Sequence, residues 1–70
     1  MKKSIVTLAG DAEKGRDILS RASEEKGLDY MDTRVNDEVF IIEAANRATS
    51  NWFVVEAERA GLKSSTINID

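Results

Sequence analysis

Glu38-Val39-Phe40-Ile41-Ile42-Glu43-Ala44 decides the fold. It is a run of β-branched and aromatic residues without a helical period, with acidic residues near both ends, and it reads as a central strand buried on at least one face. Asn36-Asp37 just before it is a turn pair that tolerates positive φ, so a preceding strand folds straight back onto it. That strand runs from Leu28 to Val35, where Met31, Thr33 and Val35 alternate with Tyr30, Asp32 and Arg34. Its polarity suits the edge of a sheet.

Outward from this hairpin the pattern changes twice. Ser4 to Ala9 is short, apolar and β-branched and stops at Gly10-Asp11, so it predicts a first strand, with Asp11 as a natural helix N-cap. From Ala12 the residues Ala12, Ile18, Leu19 and Ala22 recur at helical spacing, which predicts an amphipathic helix of roughly four turns that stops at Gly27. Gly15 inside it costs up to about 1 kcal/mol against Ala, so either its first turn is irregular or something packs closely there. On the far side, Asn46 or Thr49 caps a second helix carrying Ala48, Trp52, Phe53, Val55, Ala57 and Ala60 and ending at Gly61. Trp52-Phe53-Val54-Val55 is strand-like by itself; the flanking residues argue for helix. Ser64 to Ile69 alternates as a last, polar strand.

A shift of 34 residues lays Ile18-Leu19 on Trp52-Phe53 and Gly27-Leu28 on Gly61-Leu62. The halves are two βαβ units of one plan, with too few shared identities to mark a duplication. The order β-α-β-β-α-β with right-handed crossovers resembles the ferredoxin-like split-βαβ fold: one α+β domain over residues 1–70, two helices on one face of a four-stranded antiparallel sheet ordered 4-1-3-2. The expected core is Val6, Leu8, Met31, Val35, Phe40, Ile42, Ile67 and Ile69 against Ile18, Leu19, Ala22, Trp52, Phe53, Ala57 and Ala60. The open face is expected to hold Ile5, Thr7, Tyr30, Arg34, Val39, Ile41, Glu43, Thr66 and Asn68. Ile5, Val39 and Ile41 form an apolar patch at its centre, a candidate homodimer interface.

Composition excludes most familiar chemistry. The 70 residues contain no Cys, His or Pro, which removes disulfides, imidazole acid–base catalysis and zinc sites built from Cys or His. A net charge of −3 and scattered Lys and Arg argue against a nucleic-acid partner. No apolar run approaches the ~18 residues of a membrane span, and the apolar stretch after Lys2-Lys3 is too short for a signal peptide. The chain reads as cytoplasmic, with no membrane partner, cofactor or metal site and no catalytic residues. Asp11 with Glu13, or Asp29 with Asp32, match no defined metal loop, and Trp52 fits packing better than ligand stacking.

Families of this strand order were compared by their motifs. Where heavy-metal-binding domains carry a Met-x-Cys-x-x-Cys loop, this chain has Gly10-Asp11-Ala12-Glu13-Lys14-Gly15. RNA-recognition domains place aromatics on the open face, whereas Phe40 falls on the core face. Acylphosphatases place an Arg-bearing phosphate loop after the first strand, but the Gly spacing near Arg16 is that of a helix start. Val6-Thr7-Leu8-Ala9-Gly10-Asp11, Lys14-Gly15, Ile18-Leu19 and Gly27-Leu28 resemble the first 30 or so residues of ACT domains, with Lys14 where that family usually has Pro. The resemblance implies a homodimer that binds an amino acid or similar effector around Gly10, Asp11 and Gly15. Two readings stay open: a non-enzymatic structural domain or scaffold without a specific ligand, whose regular cap-helix-glycine-strand plan also suits a designed protein, and an ACT-like regulatory module.

Overall fold

A computed structural model describes residues 3–34 and 38–69, and the side chains of all of these but 32–34 and 69. Six elements follow one another: β1 (Lys3–Ala9), α1 (Ala12–Glu24), β2 (Tyr30–Arg34), β3 (Val39–Ala44), α2 (Arg47–Ala60) and β4 (Lys63–Ile69). The strands make one antiparallel sheet in the order β2-β3-β1-β4, with apolar β1 and β3 central and polar β2 and β4 at the edges, an α+β architecture as expected. The Asn36-Asp37 turn and Val35 lie outside the described residues.

Both helices start where the sequence places a cap. The Asp11 carboxylate accepts the Glu13 N–H at 2.8 Å and the Lys14 N–H at 3.4 Å. Asn46, rather than Thr49, caps α2, its side-chain oxygen accepting the Thr49 N–H at 2.8 Å. The ends differ. α2 closes in a Schellman motif: Gly61 has φ +80°, its N–H donates to the Glu58 carbonyl at 3.2 Å, and the Leu62 N–H reaches the Ala57 carbonyl at 2.9 Å. α1 stops earlier than expected, at Glu24, and Gly27 (φ +91°) belongs to the turn beyond it.

The core lies between the helices and one face of the central strands. Val6 and Leu8 of β1 and Phe40, Ile42 and Ala44 of β3 are buried against Ile18 and Ala22 of α1 and Phe53 and Ala57 of α2. Gly15 is explained by Phe40: a Cβ on Gly15 would stand 2.8 Å from the ring's Cδ1, so the first turn of a regular helix rests directly on the aromatic face. The buried stripe of α2 departs from the apolar pattern. Thr49, Ser50 and Glu56 are buried in it, while the apolar Ala48 and Val55 are exposed.

The edge strands face the opposite way from expectation. Tyr30 pairs with buried Ala44 and sets its ring edge-on to Phe53, with centroids 5.0 Å apart, on the helix side of the sheet. Met31 pairs with exposed Glu43, and Ile67 pairs with Ile5, so these two side chains stand on the open face, 71% and 59% exposed. Thr66 and Asn68, expected on the open face, pair with Val6 and Ser4 on the helix side. The reason is parity. Just before the strands, Leu62 enters the core and Leu28 packs against it, and with a side-chain period of two every second residue after them faces inward. The side chains of Arg34 and Ile69, like Val35, lie outside the described set.

Gly15→Ala should destabilise the protein by roughly 1–2 kcal/mol through overpacking, although Ala is the better helix former. In a double-mutant cycle with Phe40→Leu, urea midpoints should show a favourable coupling of at least about 0.5 kcal/mol. Gly61→Ala, which forces a Cβ into the left-handed region, should cost roughly 1 kcal/mol by the same measurement.

Candidate functional site

The loop after β1 brings Gly10, Asp11 and Gly15 together, and each has a structural task. The Gly10 N–H donates to the Glu38 carbonyl at 3.0 Å, tying the loop to the start of β3, and a Cβ on Gly10 would meet Leu62 Cδ2 at 2.8 Å. Asp11 caps α1, and the Gly15 N–H donates to the Asp11 carbonyl at 3.1 Å. The backbone donors of Gly10, Glu13, Lys14 and Gly15 are therefore all engaged, Gly10 with Glu38 and the others with Asp11. A carboxylate or phosphate approaching this helix N-terminus would also meet the charge of Asp11, which already occupies the favourable end of the helix dipole.

The carboxylates read as surface or structure. Among the described residues, no three acidic side chains gather as a metal would require. Asp29 acts through its backbone: its N–H donates to Thr49 Oγ1 at 3.3 Å and its carbonyl accepts the Ala45 N–H at 2.9 Å. The side chain of Asp32 is not among those described.

A charged bridge between the helices was not legible in the sequence. The Arg21 guanidinium of α1 donates to the Glu56 carboxylate of α2, and Arg21 Nε also reaches Asp17 at 3.2 Å. Glu56, with its side chain only 10% exposed, has Arg59 as a second cation at 3.8 Å. The bridge neutralises the one acidic group inside the helix stripe. Beside it a shallow cleft of ≈ 470 Å³ is lined by Trp52, Val55, Glu56 and Arg59. Trp52 packs edge-on against Phe53, ring centroids 5.1 Å apart, as its predicted packing role requires.

The open sheet face carries an apolar surface that neither helix covers. Ile5, Val39 and Ile41 are half-buried at its centre, and the parity of the edge strands adds Met31 and Ile67 to it. Pairing across the strands aligns Met31, Glu43, Ile5 and Ile67 in one row. At the end of the face a hollow of ≈ 260 Å³ opens beside Met31, lined also by Lys3 and Glu43. A count from the two leucines, rather than from the most apolar residues of each edge, is the signal that would have found Met31 and Ile67.

No protein-family model matches the chain, and no curated protein matches it in sequence. Among the described residues, no helix is long and apolar enough to cross a membrane.

Removing one partner of the interhelical bridge leaves the other charge poorly compensated. Glu56→Ala should therefore cost about 1–2 kcal/mol, less than a fully buried pair because Arg21 stays half-exposed. Glu56→Met, which fills the same space without charge, should cost clearly less in the same urea titration.

Proposed function

We propose that the chain is a non-enzymatic, cytoplasmic structural module of ferredoxin-like fold whose working surface is the uncovered face of its sheet, used to associate with a second copy. The element order and the strand order β2-β3-β1-β4 support the fold. The observation behind the function is the set of apolar side chains Met31, Ile5, Ile67, Ile41 and Val39 on a face that neither helix covers, with Glu43 between Met31 and Ile5. An uncovered apolar patch rimmed by polar residues is the usual character of an interaction site. A designed scaffold would satisfy the same reading.

The second reading is the ACT-like module, a homodimer that binds an amino acid or similar effector. Its support is the resemblance of Val6 to Asp11, Lys14-Gly15, Ile18-Leu19 and Gly27-Leu28 to that family, since the Gly10 and Gly15 donors are already engaged and Asp11 caps α1. Thermal denaturation separates the two: a structural module keeps its midpoint when amino acids are added, whereas an effector-binding one gains a few kcal/mol at saturation.

Light scattering across a concentration series should show the wild-type mass rising toward twice the 7.7 kDa chain. Val39→Lys, which places an ammonium at one end of the patch, should stay monomeric with an unchanged circular dichroism spectrum. A wild type that is monomeric throughout ends this reading.

A further inference from the structure

The open face is self-complementary about one particular two-fold axis, and this inference rests on the associating face proposed above. Its outward residues form four rows. Lys3 heads the first; Met31, Glu43, Ile5 and Ile67 make the second; Ile41, Thr7 and Ser65 lie in the third; Val39, Ala9 and Lys63 lie in the fourth. The geometry points to a face-to-face homodimer whose two-fold axis runs along the strands, between β1 and β3, with Lys3 of each copy paired to Glu43 of the other.

Such an axis keeps every row level and exchanges β1 with β3 and β2 with β4. Met31 then meets the second copy's Ile67, so the two most exposed large apolar side chains of the sheet cover each other. Ile67 enters beside the ≈ 260 Å³ hollow that Met31, Lys3 and Glu43 line. Lys3 lies across from the strand that carries the other copy's Glu43, one two-residue step away. That offset is ~7 Å along the strand between sheets ~10 Å apart, within reach of the two long side chains together. The alternative axis, perpendicular to the strands through the third row, lays Ile67 on Lys63 and Glu43 on Val39. Glu43 lies over an apolar side chain in either arrangement, Ile5 in the first and Val39 in the second, but only the first brings a cation of the other copy, Lys3, within its reach. That contact selects the first axis.

The size of the face sets the strength. Four strands ~4.8 Å apart and about six residues long give a projected area of roughly 20 × 20 Å per copy, below the standard interface. The dimer should be weak, forming at upper micromolar concentrations.

The test exchanges the two charges. Lys3→Glu and Glu43→Lys should each weaken self-association by about tenfold or more, because each sets like charges together at both contacts, one on either side of the axis. An equimolar mixture should associate to within about threefold of wild type, since the acidic chain then meets the basic one at both contacts. General attraction does not explain such a result: each swap moves the net charge of −3 by two units, to −5 and −1, so the two variants still repel overall. Sedimentation equilibrium up to millimolar chain reads the constants, and circular dichroism confirms that each variant is folded. If the wild type dimerises, Val39→Lys abolishes the dimer and the charge swaps do nothing, or the mixture fails to associate, the axis is overturned while the associating face stands. If the dimer survives Val39→Lys and is lost on Ser65→Pro in edge strand β4, the copies pair edge to edge and both ideas fall. A wild type monomeric to millimolar concentration overturns both as well.

Discussion

Leu28 and Leu62 occupy the same step in the two halves of the chain, one residue after a glycine of positive φ; Leu62 is buried in the core and Leu28 packs half-buried against it. Each is the last apolar anchor before an edge strand begins. A pleated strand alternates its side chains with a period of two, so the residue that anchors a strand settles which residues face the helices for its whole length. Leu62 is held further by its N–H on the Ala57 carbonyl, and the segment after Leu28 by the Asp29 N–H on Thr49 Oγ1. The two edges are thereby phased by the helices, and pairing to β1 and β3 carries that phase along the sheet.

The consequence is an inversion of the usual pattern at the edges. β4 presents Ser64, Thr66 and Asn68 toward the helix side and Ile67 outward. Polar groups on the inner side are tolerated because Thr66 and Asn68 stay exposed to solvent and Ser64 half-buried, while the Ser4 hydroxyl, on a residue 5% exposed, donates to Asn68 Oδ1 at 2.8 Å. Among the described residues no buried side-chain polar atom lacks a hydrogen bond, so the inversion leaves no desolvation penalty unmet. The apolar residues it turns outward join Ile5, Ile41 and Val39, and they give the open face its chemical character. One packing decision at two leucines thus connects the local turn geometry to the surface on which a function can rest.

The helix layer is keyed by two contacts of opposite kinds. Gly15 on Phe40 is a steric fit, in which the absence of a Cβ lets α1 settle onto the ring. Arg21 with Glu56 is an electrostatic one, joining α1 to α2 where an acidic side chain would otherwise be buried without a partner. Pairs of this kind add little net stability over an apolar contact, yet the bridge fixes which faces of the two helices meet.

The element order, the Asp11 N-cap, the central place of β1 and β3 and the inward set Val6, Leu8, Phe40 and Ile42 were legible in the sequence, because each depends on local conformational preference or on a run apolar enough to be buried; the choice of Asn46 over Thr49 as the second cap was made by the structure. Gly15 was legible as an anomaly, and Phe40 as its cause only once the strand lay beneath the helix. The faces of β2 and β4, the polar members of the α2 stripe and the Arg21–Glu56 bridge were settled by the tertiary structure. In each case the residue type alone points the wrong way: Met31 and Ile67 are apolar and exposed, while Thr49, Ser50 and Glu56 are polar and buried. For the edges, where apolar and polar residues alternate without contrast, burial energy in the sequence is nearly balanced between the two faces, and the balance is broken only by the leucine that the preceding helix and turn deliver into the core.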